Sequence, residues 1–171
     1  MLRILGIDPG SRVTGYGLIE SDGMRSLHIE HGTLRLRGEA LPPRLGEIYA
    51  RISALIEQHN PTVMAIEQVF VAKNAASALK LGQARGAAIC AAIQHGLEVA
   101  EYTPTRIKQS VVGTGRADKG QTQHMVKMIL NLSEQPQADA ADALAVALSH
   151  AHSHTTLARH QTANGWGGSY R

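Results

Sequence analysis

Residues 2–17 read LRILGIDPGSRVTGYG and are typical of a β-hairpin whose first strand is buried on both faces of a sheet. A single acid, Asp8, interrupts the apolar run, and Pro9 and Gly10 then mark a sharp turn. An extended, β-branched pattern resumes at Val13. A carboxylate in this position is costly to bury unless it is paired or bound to a metal, but Asp also caps turns as an ordinary structural task. The hairpin alone leaves both interpretations of Asp8 open.

The composition indicates a single globular domain. A chain of 171 residues can bury a sizeable core, and with only 4% aromatic residues that core must be built from Ile, Leu, Val and Ala. The formal net charge of +3 permits a polyanionic partner without demanding one. Cys90 is the single cysteine, which excludes an intramolecular disulfide. No signal peptide and no run of membrane-spanning length is visible, so we expect a soluble, cytoplasmic protein.

Downstream of the hairpin, periodicity and turn residues predict helices and strands in alternation. The predicted elements are a strand at residues 26–36, a helix at 42–60, a strand at 62–69, a helix at 77–95, a strand at 97–102, and helices at 104–112, 121–132 and 138–152. Three consecutive strands favour an antiparallel meander, and the later strand–helix–strand units favour parallel additions. We therefore predict an α/β fold for residues 1–152, with a mixed five-stranded sheet and helices on both faces. Residues 153–171 are rich in His, Thr, Ser and Gly without periodicity, which predicts a disordered tail.

Four carboxylates are placed where they could converge. Asp8 and Glu67 lie at or near the C-terminal ends of two predicted strands. Asp139 and Asp142 are three residues apart, so both lie on one face of the final helix, in its first turn. Like charges at that density repel, and a hard divalent cation such as Mg²⁺ or Mn²⁺, which takes oxygen ligands, would relieve the repulsion. Taken singly, the helical pair could instead stabilise a helix N-terminus, and Glu67 could be an edge-strand charge.

Five segments together resemble the RuvC family of Holliday-junction resolvases, and they occur in order from the N-terminus to about residue 150. These segments are ILGIDPGSRVTGYG, AIEQVF, SALKLGQARG, KQSVVGTGRADKGQ and PQADAADALA. The resemblance implies a ribonuclease-H-like fold and a homodimeric, Mg²⁺-dependent endodeoxyribonuclease that nicks two strands of a four-way junction symmetrically, in recombination and DNA repair. It also implies the RuvA–RuvB branch-migration complex as a partner.

The same resemblance assigns roles to individual residues. It implies that metal is held by Asp8, Glu67, Asp139 and Asp142. It places Lys108 and Lys119 at or beside the active site, in contact with phosphate. Two Mg²⁺ ions, for which Mn²⁺ could substitute, would serve the water, the phosphate and the leaving oxygen of an in-line displacement.

A candidate DNA-binding surface surrounds these acids. Lys73 and Arg116 add to the two lysines as basic residues that a phosphate backbone would need. Phe70 is the single Phe of the chain and directly follows the strand that carries Glu67. A core position is the usual role of Phe, but the resemblance favours stacking on an unpaired base at the junction centre. The Ala- and Gly-rich helix at residues 77–95 is, by the same resemblance, the dimer contact.

Three other functions share parts of this pattern. An ATP phosphotransferase of the actin or hexokinase type begins with a similar hairpin, but it needs two such domains and a second phosphate loop, and neither fits in this chain. A non-enzymatic junction-binding protein would not need intact acids at all four positions. A ribonuclease acting on RNA–DNA hybrids shares the predicted fold, and a substrate panel separates it from a junction nuclease.

Overall fold

The computed structural model describes residues 1–69, 74–116 and 118–163, except for the side chains of Lys119 and of residues 155–163. Over these residues the strands are β1 (Leu2–Asp8), β2 (Val13–Ser21), β3 (Ser26–Arg35), β4 (Val63–Glu67) and β5 (Glu98–Tyr102). The helices are α1 (Leu41–His59), α2 (Ala75–Gln94), α3 (Pro104–Val112), α4 (Lys119–Ile129) and α5 (Ala138–Ala163). Helices and strands therefore alternate between β3 and α3, as the periodicity predicts.

The five strands form one mixed sheet in the order β3-β2-β1-β4-β5. β1, β2 and β3 pair antiparallel, whereas β4 joins β1, and β5 joins β4, in parallel. A parallel pair needs a crossover connection, and α1 and α2 supply those that lead into β4 and β5. This order confirms the predicted meander with parallel additions.

Alternating side chains along the strands build two cores. Ile4 of β1 joins residues of α3, α4 and α5 in one cluster, whereas Leu5 and Ile7 join residues of α1 and α2 in the other. β4 alternates likewise, with Ala65 in the first cluster and Met64 in the second. Because successive residues of a strand point to opposite faces, helices cover both faces of the sheet, as predicted.

Helix α5 crosses the sheet at backbone contact distance because glycines lie along its path. A Cβ on Gly6 of β1 would lie 2.1 Å from the carbonyl oxygen of Ala143, and one on Gly17 of β2 would lie 2.6 Å from the Leu144 side chain. Any larger residue at these positions would push α5 away from the sheet. The Ala residues of α5 between positions 140 and 147 are buried as well, so both elements contribute small side chains to the contact.

Helix α5 is also longer than the sequence analysis predicts. It continues to Ala163, eleven residues past the predicted end of the helix, while the predicted disordered tail stays a prediction. No Gly or Pro occurs between residues 138 and 163 to stop the helix. The rest of the predicted tail, residues 164–171, lies outside the described residues. Among the described helices, none combines the length and apolarity that a bilayer crossing requires.

Candidate active site

Asp8 and Glu67 end two neighbouring strands and point to the same side of the sheet. β1 and β4 run parallel with Gly6 opposite Ala65, so both strands reach the same edge. Asp8 follows Gly6 by two residues, and Glu67 follows Ala65 by two, which places both carboxylates on the face that α5 covers. Adjacent strands lie about 4.8 Å apart. The two acids therefore stand side by side at this edge of the sheet.

The first turn of α5 brings the other two acids to the same edge. Gly15 of β2 is paired with Asp8, and a Cβ on Gly15 would lie 2.0 Å from the carbonyl oxygen of Asp139. The backbone of Asp139 thus lies directly on the strand next to Asp8. Asp142 follows three residues later and shares the same face of the helix.

All four acids line one cleft of about 270 Å³. Its lining consists of Asp8, Glu67, Pro104, Ile107, Lys108, Thr122, Asp139 and Asp142. The four carboxylates are half-buried, and their oxygens form the kind of donor set that hard divalent cations prefer. As the described side chains stand, however, no three His, Cys, Asp or Glu residues form a group that could hold a metal ion. The donor chemistry therefore fits Mg²⁺, while the coordinating geometry is not formed by these side-chain positions.

The turn after Asp8 is fixed by its own hydrogen bonds. The Thr14 hydroxyl donates to the carbonyl of Gly10 over 2.9 Å and accepts from the Gly10 N–H over 3.3 Å, and Thr14 is buried. A Cβ on Gly10 would lie 1.9 Å from the carbonyl oxygen of Val13. This turn therefore holds the end of β1, and Asp8 with it, in one backbone conformation.

Arg85 of α2 anchors the end of β4. Its Nε donates to the backbone carbonyl of Glu67 over 3.0 Å, and its guanidinium forms an ion pair with Glu101 of β5. The N–H of Gln68 donates to the Tyr102 carbonyl over 2.8 Å, which extends the pairing of β4 with β5 past Glu67. Sequence reasoning missed this role of Arg85, because every residue offers the same backbone carbonyl and the contact leaves no side-chain pattern.

Helices α3 and α4 supply the rest of the cleft wall. The Thr103 side chain caps the N-terminus of α3, and Lys108 lies on that helix in the cleft lining. Asp118 and Gln121 form a capping box at the start of α4, which places the buried Thr122 against the cleft. The helix is predicted to start at residue 121, two residues later than observed, and the sequence gives no sign that Thr122 lines a cleft. The spacing of Asp118 and Gln121 was the signal for the helix start.

A buried histidine lies behind this edge of the sheet. Tyr102, which pairs with Glu67 in the sheet, shares a 2.9 Å hydrogen bond between its hydroxyl and Nδ1 of His150. Burial, together with the charge of His154, lowers the pKa of His150, so the ring is neutral at pH 7. Burial also raises the pKa of Tyr102. The pair therefore braces β5 against α5 without adding charge near the carboxylates.

Of the other predicted DNA-binding residues, only Arg116 has a described side chain, and it does not line the cleft. Arg116 is exposed on the segment between α3 and α4. Lys119 is the first residue of α4, and its side chain is outside the description. Phe70 and Lys73 lie outside the described residues altogether. Stacking by Phe70 and phosphate contact by Lys73 and Lys119 therefore stay predictions.

The chain is similar to known nucleases along nearly its whole length. The family model described as crossover junction endodeoxyribonuclease RuvC matches residues 4–150. The protein of that name from Pseudoalteromonas atlantica is 60% identical over 157 residues, 92% of this chain and 91% of that protein. The one from Tolumonas auensis is 58% identical over 170 residues, 96% and 98% of the two chains. A solved structure of Thermus thermophilus RuvC in complex with Holliday junction substrate matches with a TM-score of 0.85 at 32% identity, over 91% of this chain and 96% of that one. This likeness confirms the ribonuclease-H-like α/β fold.

Proposed function

The chain belongs to the RuvC family of crossover junction endodeoxyribonucleases, and from that premise we propose that it resolves four-way DNA junctions by metal-dependent nicking of two strands. The observation that carries the proposal is the register of the sheet, because it sets Asp8 beside Glu67 and lays the backbone of Asp139 on Gly15. Acids from three separate segments line one cleft as a result. Folding alone does not require four like charges at one sheet edge, since they repel one another.

We assign the metal-binding role to Asp8, Glu67, Asp139 and Asp142, with Mg²⁺ as the cation, two ions per site, and Mn²⁺ as its substitute. The chemistry that such ions supply when bound is activation of a water, stabilisation of the phosphate and neutralisation of the leaving oxygen. The chain itself supplies rigid supports: two strand ends and the first turn of α5 orient the acids. Lys108 adds a positive charge in the same cleft, which attracts a backbone phosphate to the site.

Incubation with a synthetic four-way junction tests the proposal. We expect nicks at symmetric positions in two strands, only when Mg²⁺ or Mn²⁺ is added, and no cleavage of a linear duplex of the same sequence. An RNA–DNA hybrid is the second control, because one fold can serve several activities. Preferential cleavage of the hybrid, or junction binding without nicking, would contradict the proposal.

Lys108→Ala is expected to lower cleavage and to flatten the dependence of junction binding on salt by about one unit of slope, because one phosphate contact is lost. Binding is measured over a salt series without divalent cations, and cleavage is measured with Mg²⁺. Lys127→Ala, on α4 and outside the cleft lining, is the matched control. If both variants keep the wild-type slope and activity, Lys108 belongs to the solvated surface.

We also propose that two copies of the chain pair through α2. One face of this helix carries Leu79 and Ile93, which are 70% and 60% exposed, with Gly82 and Gly86 between them. Apart from the neighbouring backbone of α2 itself, no described atom lies within 4 Å of a Cβ built on either glycine, so a second helix can approach closely. Residues 79, 82, 86 and 93 recur at the spacing of one helical face. Two-fold pairing would present two identical sites to a four-way junction.

Leu79→Asp combined with Ile93→Asp is expected to convert the dimer into a monomer, because unpaired carboxylates are costly to bury in an apolar interface. Size-exclusion chromatography with light scattering measures the mass at a fixed protein concentration. Met128→Asp is the matched control, since Met128 is 62% exposed on a different helix. A monomeric wild type, or a dimer that survives the double substitution, would rule out α2 as the interface.

From family membership we also infer that the nuclease works in the cytoplasm, in recombination and DNA repair, alongside the RuvA–RuvB branch-migration complex. A pull-down with purified RuvA and RuvB on junction DNA tests the partnership. Recovery of the three proteins on junction DNA but not on linear duplex would support it, and recovery of RuvA and RuvB alone would refute it.

A further inference from the structure

A second cleft, of about 660 Å³, lies between the end of β3 and helix α1. Its lining consists of Thr33, Arg35, Leu36, Arg37, Glu47 and Arg51. We call it the arginine cleft, because it contains three arginines and one acid. It shares no lining residue with the carboxylate cleft, and the function proposed above makes no use of it.

The register of the sheet relates the arginine cleft to the carboxylates. Asp8 pairs with Gly15, and Gly15 pairs with Thr33, so two strand spacings, about 10 Å, separate Asp8 from Thr33. Arg35 lies two residues beyond Thr33 and pairs with Val13 of β2. Paired residues point to the same face of a sheet, and Val13 shares the face of Gly15. Arg35 therefore lies on the carboxylate face and at the same end of the sheet. Glu47 and Arg51 come from α1, which covers the opposite face, so the arginine cleft lies at the edge of the sheet beside β3.

The single acid in the arginine cleft has hydrogen-bond partners, whereas two of its three arginines have no acid partner among the described side chains. Glu47 is already engaged: it accepts from Arg51 Nη1 over 3.1 Å and from the backbone N–H of Arg37 over 3.2 Å. Arg51 also donates to the carbonyl of Arg35 over 3.1 Å. The guanidinium groups of Arg35 and Arg37 are exposed and have no acid partner among the described side chains. Two positive charges thus face solvent on a backbone that Glu47 and Arg51 hold in place.

An exposed ion pair lies between the arginine cleft and the carboxylate cleft. Arg12, in the turn between β1 and β2, contacts Glu39 over 3.3 Å, and their side chains are 65% and 91% exposed. Pairs this exposed are weak and exchange readily for another anion. The turn that carries Arg12 is the one that fixes Asp8, so Arg12, paired with Glu39, stands between the carboxylate edge and the end of β3.

We propose that Arg35 and Arg37 bind backbone phosphates of the junction arm that leaves the carboxylate cleft across β2 and β3. The inference rests on the junction-cleaving function proposed above. One strand of DNA carries a phosphate about every 3.4 Å along the helix axis. Arg35, two residues beyond Thr33, is about 12 Å from Asp8, which corresponds to about three to four phosphates from the cut, and Arg37 lies farther along the chain. Contacts of this kind fix the register and orientation of the duplex without reading its sequence. Arg35 and Arg37 thereby hold the arm so that the scissile phosphate reaches the carboxylates.

Salt dependence of junction binding tests the charge part of the proposal. Without divalent cations, Arg35→Ala combined with Arg37→Ala should reduce the slope of log affinity against log salt by about two units. Arg35→Lys with Arg37→Lys should keep the slope, because the charges remain. Arg25→Ala is the matched control: Arg25 is an exposed arginine beside the opposite end of β3. An unchanged slope in the double Ala variant, or an equal reduction of the slope in Arg25→Ala, would overturn the proposal. An acidic protein would then be the better candidate for the partner of the arginine cleft.

Neutral phosphate analogues test which phosphates of the junction arm Arg35 and Arg37 contact. Methylphosphonates are placed singly, from one to six nucleotides on each side of the cut, and cleavage with Mg²⁺ is compared between the wild type and the double Ala variant. Wild-type cleavage should fall when the phosphates about three to five nucleotides from the cut are neutralised, whereas the variant should not respond to the same change. Equal responses in both proteins would overturn the proposal. A wild type that leaves every junction uncut would instead refute the junction-cleaving function, so the two failures are distinguishable.

Discussion

Asp142→Asn is expected to reduce junction cleavage at least about a hundredfold while junction binding stays close to that of the wild type. The amide keeps the size of the side chain but removes the charge that a hard cation needs from its oxygen ligands. The same result is expected for the amide replacements of Asp8, Glu67 and Asp139, because all four line one cleft. Nicking rates with Mg²⁺ and binding without it are measured on the same junction.

Asp118→Asn is the matched control for this series. Asp118 caps the N-terminus of α4 and lies outside the cleft lining, and Asn is as good a cap as Asp. The Asp118→Asn variant should therefore cleave junctions at the wild-type rate. That result would show that loss of a carboxylate outside the cleft does not impair cleavage. Near wild-type nicking by any of the four cleft variants would remove that residue from the metal site.

Gly15→Ala is expected to destabilise the fold by about 3 kcal/mol and to abolish cleavage. The new Cβ would lie 2.0 Å from the carbonyl oxygen of Asp139, which is backbone and cannot rotate away. The first turn of α5 must move, and Asp139 moves with it. Urea unfolding measures the loss of stability, and the nicking assay measures the loss of activity.

Gly46→Ala is the control for the glycine variant. Gly46 lies within α1, and apart from the neighbouring backbone of that helix no described atom comes within 4 Å of a Cβ built there. Ala should therefore raise the free energy of unfolding by about 0.5–1 kcal/mol, since Gly is a poor helix residue. If Gly15→Ala behaves like Gly46→Ala, the backbone contact between α5 and β2 does not set the position of Asp139.

The part of the site carried by regular elements was predictable from the sequence. The apolar run that ends at Asp8 and the predicted strand at 62–69, which carries Glu67 near its end, identify two carboxylates at or near strand ends. The period of 2 along each strand then fixes the face. The spacing of Asp139 and Asp142 identifies one helical face. These local patterns were sufficient to place the four carboxylates together, because a sheet with buried faces tolerates only one strand register.

The remaining features depend on contacts that carry no local pattern. Arg85 meets a backbone carbonyl eighteen residues away in the chain, and such an acceptor exists at every position. Thr122 reaches the cleft through the way α4 packs beside α3 and α5, which no local pattern of the helix reveals. The end of α5 was misplaced because His, Thr and Ser suggest a loop, whereas the absence of Gly and Pro lets the helix continue to Ala163.

Under the pairing and the metal site proposed above, Arg85 would link cation binding to protomer association, since it joins α2 to the carbonyl of Glu67. Thermodynamic reciprocity requires that any gain in cation affinity caused by pairing be matched by an equal gain in pairing affinity caused by the cation. Coupling energies between sites are typically about 1–3 kcal/mol, or roughly 5- to 150-fold in affinity. If pairing through α2 tightened the hold of Arg85 on the end of β4, a lone protomer would bind its cations less tightly than a paired one by the same factor.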